Sequence, residues 1–480
     1  MLQYLKKLIF FSFLLFIADV FALPTFINGK AIRGSGLLVR LSTYTDQISF
    51  QESLLDLEEI KSDELFQLGF EIADIQEVFL NIGNQSFSFY AQAGKSYHLT
   101  IDNIEVLPKS ALAEQNPLHI VWNEKNELNE VIDNFNYEFG DFLETNFIAL
   151  YKNRDAKLLG VFEQEIEKKR SETKSLSEHE LAFFKDYIAY QFADLKYASQ
   201  TVSDKTLGET YFQNKPVLYN NSSYMLFFQH YFNQYFSSGK RTINYHEFVD
   251  LMRAQKNLAQ LMDFVGKDPV LVQERLRELV LLNALKEIYY NKDFDSVKVG
   301  SLIKSIALQS KFQEHKKIGV AVLNQLTALK TGMLAPSLEL KSTTGTVKNL
   351  TNYKGKYVYL FFISDNCQAC EQDLSAIRML NEKYRNDIAF VSVLVNYTKN
   401  GQNKLSQLPN TPWDKLLFAN DFNMLNTYKV RSFPLYILLD REGKILLYPA
   451  KKPHEDIDRF FDYLIQRDKA KSAKPDELFR

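Results

Sequence analysis

Residues 356–370 read KYVYLFFISDNCQAC, and this stretch decides the fold of the C-terminal part of the chain. Its apolar run predicts a buried strand, and the residues after Cys367 predict a helix. Cys367 and Cys370 are the only cysteines among 480 residues. Because two residues separate them, a disulfide between them would gain little from the loop entropy that makes structural disulfides stabilising. The pair is therefore predicted to serve chemistry.

The two cysteines are expected to have different roles. Cys367 should lie at the N-terminus of the predicted helix, where unpaired backbone N–H groups and the helix dipole stabilise a thiolate. We therefore predict that Cys367 is the attacking nucleophile. Cys370 lies one turn further along the helix and should be less exposed, so it is predicted to resolve a mixed disulfide by attacking it.

The elements around this stretch predict an α/β domain over residues 333–470. The sequence KTGMLAPS at 330–337 has a glycine where a helix could end and a proline where it could not continue. After it, the pattern predicts a hairpin, the strand at 356–363, a helix, three further strands, and a final helix from His454. Strands that alternate with helices indicate a sheet covered on both faces.

Residues 333–470 resemble the thioredoxin-like fold and, within it, the exported TlpA-like thiol-disulfide oxidoreductases. The resemblance is carried by APSLEL, LTNYKGKYVYLFFISDNCQACEQDL and YKVRSFPLYILLDREGKI, in this order. It implies that Pro434 follows a cis peptide bond and faces the disulfide. It also implies that the backbone of Phe433 pairs with an extended segment of the substrate, in the manner of strand addition.

Asp373 matches the acidic residue that TlpA-like proteins place three positions after the second cysteine. The resemblance implies that Asp373 accepts the proton of Cys370 during exchange, a role that requires partial burial. The alternative is an exposed carboxylate on a helix face, next to Glu371.

The sequence departs from the family pattern at four positions near the predicted site. Asn366 replaces the usual tryptophan, while Ala369 and Ser375 replace prolines. Phe433 is bulkier than the common residue before the cis-proline. Because redox potential and partner recognition depend on these surroundings, the sequence predicts neither of them.

Residues 1–22 predict a secretory signal peptide. Two lysines precede an apolar run, and Val20 and Ala22 have the small-residue spacing of a cleavage site. The run is shorter than the roughly 18 apolar residues that span a bilayer, and Asp19 interrupts the apolar stretch. An uncleaved membrane anchor is the alternative. The protein is therefore expected to be exported, to the periplasm or cell envelope.

Two further regions are predicted between the signal peptide and the α/β domain. Residues 23–122 predict a β-sandwich, because apolar residues alternate with a period of two, as in FQLGFEI at 66–72. Residues 123–332 predict an all-α region, in which Asp268 before Pro269 is a helix-start signal. The aromatic run SYMLFFQHYFNQYF, which begins at Ser223, predicts core packing, with a binding groove as the alternative.

Charge and histidine placement argue against several other functions. Lys plus Arg number 57 and Asp plus Glu number 59, so no large field points to nucleic acid. The seven histidines are scattered and supply no compact pair that could complete a zinc site with the cysteines. No cofactor is expected apart from a redox-active disulfide between Cys367 and Cys370.

These observations predict an exported thiol-disulfide oxidoreductase that works through Cys367-Gln-Ala-Cys370. Its partners would be disulfide-containing exported proteins, and a reductase in an oxidising compartment would need an electron donor, expected in the membrane. The alternative is a non-catalytic envelope binding protein in which the thioredoxin-like domain is an inert docking module. A thiol peroxidase is a third hypothesis: Ser364 could supply its hydroxyl, but Leu360 stands where its proline is needed.

Overall fold

The computed structural model describes residues 22–82, 85–104, 117–173, 175–237, 244–254, 257–364, 367–395, 411–418 and 422–472. Apart from Ala22, the predicted signal peptide lies outside the described residues. The described chain runs from a sheet-rich region through a helical region to a region of sheet and helix, so the predicted multidomain fold class is confirmed. The boundaries between the three regions stay predictions. Within the described residues, no helix has the length and apolar content that a membrane span requires.

The N-terminal region is a sandwich of two sheets. Their strand orders are β4-β1-β7-β8 and β3-β2-β5-β6, with a parallel pairing between β1 and β7. Side chains from both sheets share one core, for example Ile27, Val39, Leu68 and Leu80, all with no exposed surface. The period of two in the sequence produced this packing, because alternate residues of a strand face the same side. The strands are β1 (Leu23–Ala31), β2 (Leu38–Tyr44), β3 (Glu52–Glu59), β4 (Leu65–Ile72), β5 (Gln76–Ile82), β6 (Gln85–Ala91), β7 (Ser96–Ile101) and β8 (Ile120–Trp122).

The central region is helical, and its largest core combines many aromatic side chains with aliphatic ones. The run at 223–236 contributes many buried side chains to that core, including Tyr224, Phe227 and Tyr231, so it is core packing rather than a groove. The helices are α1 (Glu127–Phe147), α2 (Ala156–Glu172), α3 (Glu178–Ala198), α4 (Asp204–Tyr211), α5 (Ser222–Tyr231), α6 (Tyr245–Arg253), α7 (Leu258–Val265), α8 (Glu274–Ile288), α9 (Ser296–Gln309) and α10 (Gln313–Thr327), with a π-helical turn at Ile148–Lys152.

One helix of this region starts later than the sequence predicts. Asp268 accepts a hydrogen bond from the Val270 N–H, as a cap should, but it caps only a 3₁₀ turn at Pro269–Leu271. The guanidinium of Arg277 donates to the carbonyl oxygens of Leu271 and Val272 at 2.8 Å, which occupies acceptors that a continuous helix would use internally. The α-helix therefore begins at Glu274.

The C-terminal region is built on a five-stranded sheet with the order β13-β12-β11-β14-β15. Strands β11, β12 and β13 are parallel, and β14 runs antiparallel to β11. All eight residues of β11 are buried because both faces of the sheet are covered. The elements are the hairpin β9 (Glu339–Lys341) and β10 (Val347–Asn349), then β11 (Tyr357–Ser364), α11 (Gln368–Tyr384), β12 (Ile388–Val395), β13 (Asp414–Leu417), α12 (Phe422–Thr427), β14 (Leu435–Leu439), β15 (Ile445–Leu447) and α13 (Ile457–Ser472).

The last helix also begins later than predicted, at Ile457 rather than His454. Asp456 has a φ of 59°, which lies in the left-handed region and cannot continue a right-handed helix. His454 therefore lies in the loop between β15 and α13. This placement brings its side chain to the site described next.

Candidate active site

The two cysteines form a disulfide where β11 gives way to α11. Strand β11 ends at Ser364 and α11 begins at Gln368, which makes Cys367 the N-cap residue of the helix. The Cα atoms of Cys367 and Cys370 are 5.2 Å apart. The Cys370 N–H points at the Cys367 Sγ from 3.1 Å. In the reduced protein the same N–H and the helix dipole would stabilise a thiolate on Cys367.

The two sulfurs differ in how well a partner can reach them. Cys367 is half-buried and is followed by exposed Gln368 and Ala369, whereas Cys370 has no exposed surface. Since thiol-disulfide exchange requires one sulfur to approach another directly, an incoming disulfide can reach Cys367 and is excluded from Cys370. The geometry therefore leaves one sulfur open to a partner and closes off the other, while the attacking and resolving roles stay predictions.

Phe433 and Pro434 lie in the segment that leads into β14, and the peptide bond between them is cis. Both side chains are half-buried. Phe433 packs against the core cluster that contains Cys370, and Cys367 packs against that cluster as well. The structure thus gathers the cis-proline segment and the disulfide around one core. Substrate pairing by the Phe433 backbone stays a prediction.

Asp373 is buried, with 4% of its surface exposed, so the exposed-carboxylate alternative is wrong. It follows Cys370 by three positions on α11, and residues so spaced are neighbours on one helix face. That face turns toward the sheet, as burial of Cys370, Leu374 and Ile377 shows, while Glu371 points to solvent. Asp373 is therefore buried on the same helix face as Cys370.

Two residues that the sequence did not predict hold the Asp373 carboxylate. The Tyr436 hydroxyl donates to Oδ2 at 2.8 Å, and His454 Nδ1 lies 3.0 Å from Oδ1. Tyr436 is opposite Phe361 in the β11–β14 register. The apolar run in PLYILLD could have indicated that Tyr436 is buried, but no local pattern could pair His454 with a residue 81 positions away.

Burial keeps the hydroxyls of Tyr436 and Tyr359, the tyrosines near Asp373, protonated. Burial, together with the hydrogen bond to Asp373, raises the pKa of Tyr436 well above its usual range. Burial and the nearby charge of Asp373 likewise raise the pKa of Tyr359. The Tyr436 hydroxyl is therefore a donor at any physiological pH, and the carboxylate oxygen is the acceptor.

The site can store two electrons in its own sulfurs. Reduction of the Cys367–Cys370 bond gives a dithiol, and oxidation restores the disulfide. Among the described residues, no group of three or more His, Cys, Asp or Glu side chains could hold a metal ion.

The Thioredoxin-like family model matches residues 355–445, which include β11, the cysteine pair, α11 and the cis-proline. The C-terminal domain is thioredoxin-like. Among its relatives, the Thioredoxin-like protein YneN of Bacillus subtilis (strain 168) is 28% identical over 118 residues, which are 24% of this chain and 69% of that protein.

Other relatives carry an activity in their names. The thiol-disulfide oxidoreductase ResA of Geobacillus thermodenitrificans is 28% identical over 120 residues, which are 25% of this chain and 68% of that protein. A crystal structure of the thioredoxin domain of a thiol-disulfide oxidoreductase from Bacteroides vulgatus covers 29% of this chain and 99% of its own, with 21% identity and a TM-score of 0.25. The family match and the sequence relative ResA confirm the resemblance of the thioredoxin-like domain to thiol-disulfide oxidoreductases.

Proposed function

We propose that this protein is an exported thiol-disulfide oxidoreductase that reduces or exchanges disulfides in other exported proteins. One observation carries the proposal: Cys367 caps α11 and is half-exposed, while its disulfide partner Cys370 is fully buried. A disulfide kept only for stability needs no such division, whereas exchange needs one sulfur to attack and another to resolve.

The reductive cycle follows from these positions. The Cys367 thiolate attacks a sulfur of the client disulfide, which forms a mixed disulfide and releases one client thiolate. Cys370 then attacks Cys367, which releases the second client thiolate and leaves the Cys367–Cys370 disulfide. Two electrons pass from the dithiol to the client, and Asp373 accepts the proton of Cys370.

Location and partners complete the proposal. The signal peptide predicted over residues 1–22 supports export to the periplasm or cell envelope. The clients would be disulfide-containing proteins of the same compartment. Because that compartment is oxidising, the disulfide formed in each cycle would be reduced again by an electron donor in the membrane.

The test is an equilibrium titration of the purified protein in glutathione buffers, with quantification of free thiols. We expect Cys367 and Cys370 to interconvert between dithiol and disulfide at a potential that the buffers reach, near the thioredoxin value of about −270 mV if the protein is a reductase. In a Cys370→Ser variant, Cys367 should accumulate as a mixed disulfide with a client peptide. A Cys367→Ser variant is the control and should trap none.

Two results would contradict the proposal. One is a disulfide that stays closed in buffers poised well below about −300 mV, the range of structural disulfides in secreted proteins. The other is a Cys370→Ser variant that traps no mixed disulfide. Either would favour the binding-protein alternative, with an inert docking domain.

A further inference from the structure

His454 lies on the solvent side of the cluster that it forms with Asp373 and Tyr436. Its side chain is 60% exposed, whereas the Asp373 side chain that it contacts is 6% exposed. An ionised Asp373 carboxylate can only accept hydrogen bonds, so for that form the 3.0 Å contact assigns the proton to Nδ1 of the imidazole. Among the described residues, His454 and Tyr436 both contact this buried carboxylate.

The loop that carries His454 is fixed at several points. The buried Tyr359 hydroxyl donates to the carbonyl oxygen of Lys451 at 2.7 Å. The Lys452 N–H donates to Glu455 Oε2 at 3.0 Å, and Ile457 anchors the start of α13 with no exposed surface. Because the loop is held on both sides of His454, the imidazole is positioned over Asp373 despite its exposure.

We propose that His454 is a positioning residue for thiol-disulfide exchange. Its imidazole contacts Asp373 Oδ1 at 3.0 Å and orients the carboxylate toward Cys370 for the resolving step. The inference rests on the proposed function, because it concerns the proton that leaves Cys370 in that cycle.

The step begins from the mixed disulfide between Cys367 and a client. The Cys370 thiol gives its proton to the Asp373 carboxylate while its sulfur attacks Cys367 Sγ. The Cys367–Cys370 bond forms, the bond from Cys367 to the client sulfur breaks, and the client leaves as a thiolate that takes a proton from water. The enzyme dithiol is oxidised and the client disulfide is reduced by two electrons.

The groups near Asp373 come from several elements. Tyr436 from β14 and Tyr359 from β11 keep their protons, since burial raises the pKa of both. Glu455, in the same loop as His454, acts on Tyr359 as a nearby negative charge. On α11 itself, Glu371 is exposed. His454 contacts Oδ1 of Asp373 from the loop before α13.

Stopped-flow reaction of the reduced full-length protein with dithiobis(nitrobenzoate) separates the two chemical steps. Attack by Cys367 releases one thionitrobenzoate and leaves the other on Cys367, and attack by Cys370 releases the second. We expect His454→Ala to slow the second release roughly tenfold, about the effect of losing one charge-assisted hydrogen bond, and to leave the first unchanged.

The conservative variant His454→Asn distinguishes positioning from a general structural effect. Its amide nitrogen can replace Nδ1 as a donor, so we expect it to restore the rate of the second release. His230→Ala is the matched control for His454→Ala, because His230 is also exposed and also contacts a carboxylate, Asp194 at 2.7 Å, in the helical region.

The outcomes separate this inference from the proposed function. If both releases occur and His454→Ala keeps the wild-type rate of the second release, or His454→Asn fails to restore that rate, the role of His454 is wrong and the oxidoreductase proposal survives. If His230→Ala slows the second release as much as His454→Ala does, the effect is not specific to the site and the inference is overturned. If Cys367 gives no first release, the proposed function itself fails.

Discussion

At the scale of single residues, the cost of burying Asp373 is offset by two hydrogen bonds. A carboxylate taken from water is unstable unless donors replace its hydration, and Tyr436 and His454 supply them. Tyr436 is 2% exposed, so water cannot replace its hydroxyl as it could at a surface. Both contacts therefore stabilise the buried side chain of Asp373 on the helix that carries Cys370.

Tyr436→Phe should lower the stability of the protein, because the buried Asp373 side chain depends on the Tyr436 hydroxyl. The change removes the phenol hydroxyl and leaves Oδ2 of Asp373 without that donor. We expect the free energy of unfolding to fall by about 1–3 kcal/mol, the range for a buried polar group left unsatisfied. Urea denaturation at neutral pH, with the disulfide intact, measures it.

The matched control is Tyr353→Phe. Tyr353 also donates to a carboxylate, Asp414 Oδ2 at 2.7 Å, but the Asp414 side chain is 36% exposed and water can take the place of the phenol. The free energy of unfolding of Tyr353→Phe should therefore fall by about 1 kcal/mol or less. Equal losses in the two variants would contradict the account of Asp373 as a carboxylate that depends on Tyr436.

At the scale of elements, the start of α3 is tied to the N-terminal sandwich. Ser177 and Glu180 form a capping box, in which each side chain accepts the backbone N–H of the other residue. Glu180 also pairs with Lys95 at 2.8 Å, in the turn between β6 and β7. The same carboxylate thus caps a helix and joins it to a sheet.

Glu180→Gln should destabilise the protein in a pH-dependent way. Burial raises the pKa of Glu180, but the hydrogen bonds from Lys95 and Ser177 outweigh burial and lower it from 4.5 to about 2. A pKa lower in the folded than in the unfolded state stabilises the fold above the unfolded value. We therefore expect a loss of about 1–3 kcal/mol at pH 7 that shrinks as the pH falls from about 4.5 to 2.

Unfolding in urea at several pH values measures the effect, with Glu178→Gln as the control. Glu178 is on the same first turn of α3 but is exposed. Its variant should differ little from wild type at any pH. A Glu180→Gln loss that stays constant from pH 7 to pH 2 would show that the lowered pKa of Glu180 does not contribute to stability.

At the scale of the whole molecule, side chains of one region pack into the core of the next. Ile48, between β2 and β3, is 1% exposed and packs into the aromatic core of the helical region. The Gln229 side chain donates to the carbonyl oxygen of Gln47 at 2.5 Å beside it. Leu329, just after α10, packs in turn into a core of the thioredoxin-like domain.

Ile48→Ala should weaken the helical region although the substitution lies in the sandwich. Removing a buried isoleucine side chain costs about 2–5 kcal/mol, because a cavity remains. We expect the helical circular dichroism signal to be lost at lower urea concentration than in wild type. Leu54→Ala, on exposed β3, is the control and should shift this transition little. An unchanged helical transition in Ile48→Ala would mean that the two regions are not coupled through this side chain.

The sequence by itself determined the elements and the reactive pair. Alternation at 66–72 and the apolar run at 356–363 placed strands, because side-chain periodicity is a local property of the backbone. The two cysteines follow the apolar run directly, so the sequence also predicted that the pair lies at a strand-to-helix turn. Two helix starts were predicted too early. Asp268 caps only a 3₁₀ turn, and the positive φ of Asp456 prevents α13 from beginning before it.

Only the tertiary structure decided the surroundings of the sulfurs. Sequence reasoning left Asp373 open between a buried acceptor and an exposed carboxylate, because a helix does not specify which of its polar residues faces a sheet. Tyr436 and His454 reach Asp373 across 63 and 81 positions. Ile48 likewise enters a core formed by residues far along the chain. Such contacts depend on how complete elements pack, and local patterns carry no information about that packing.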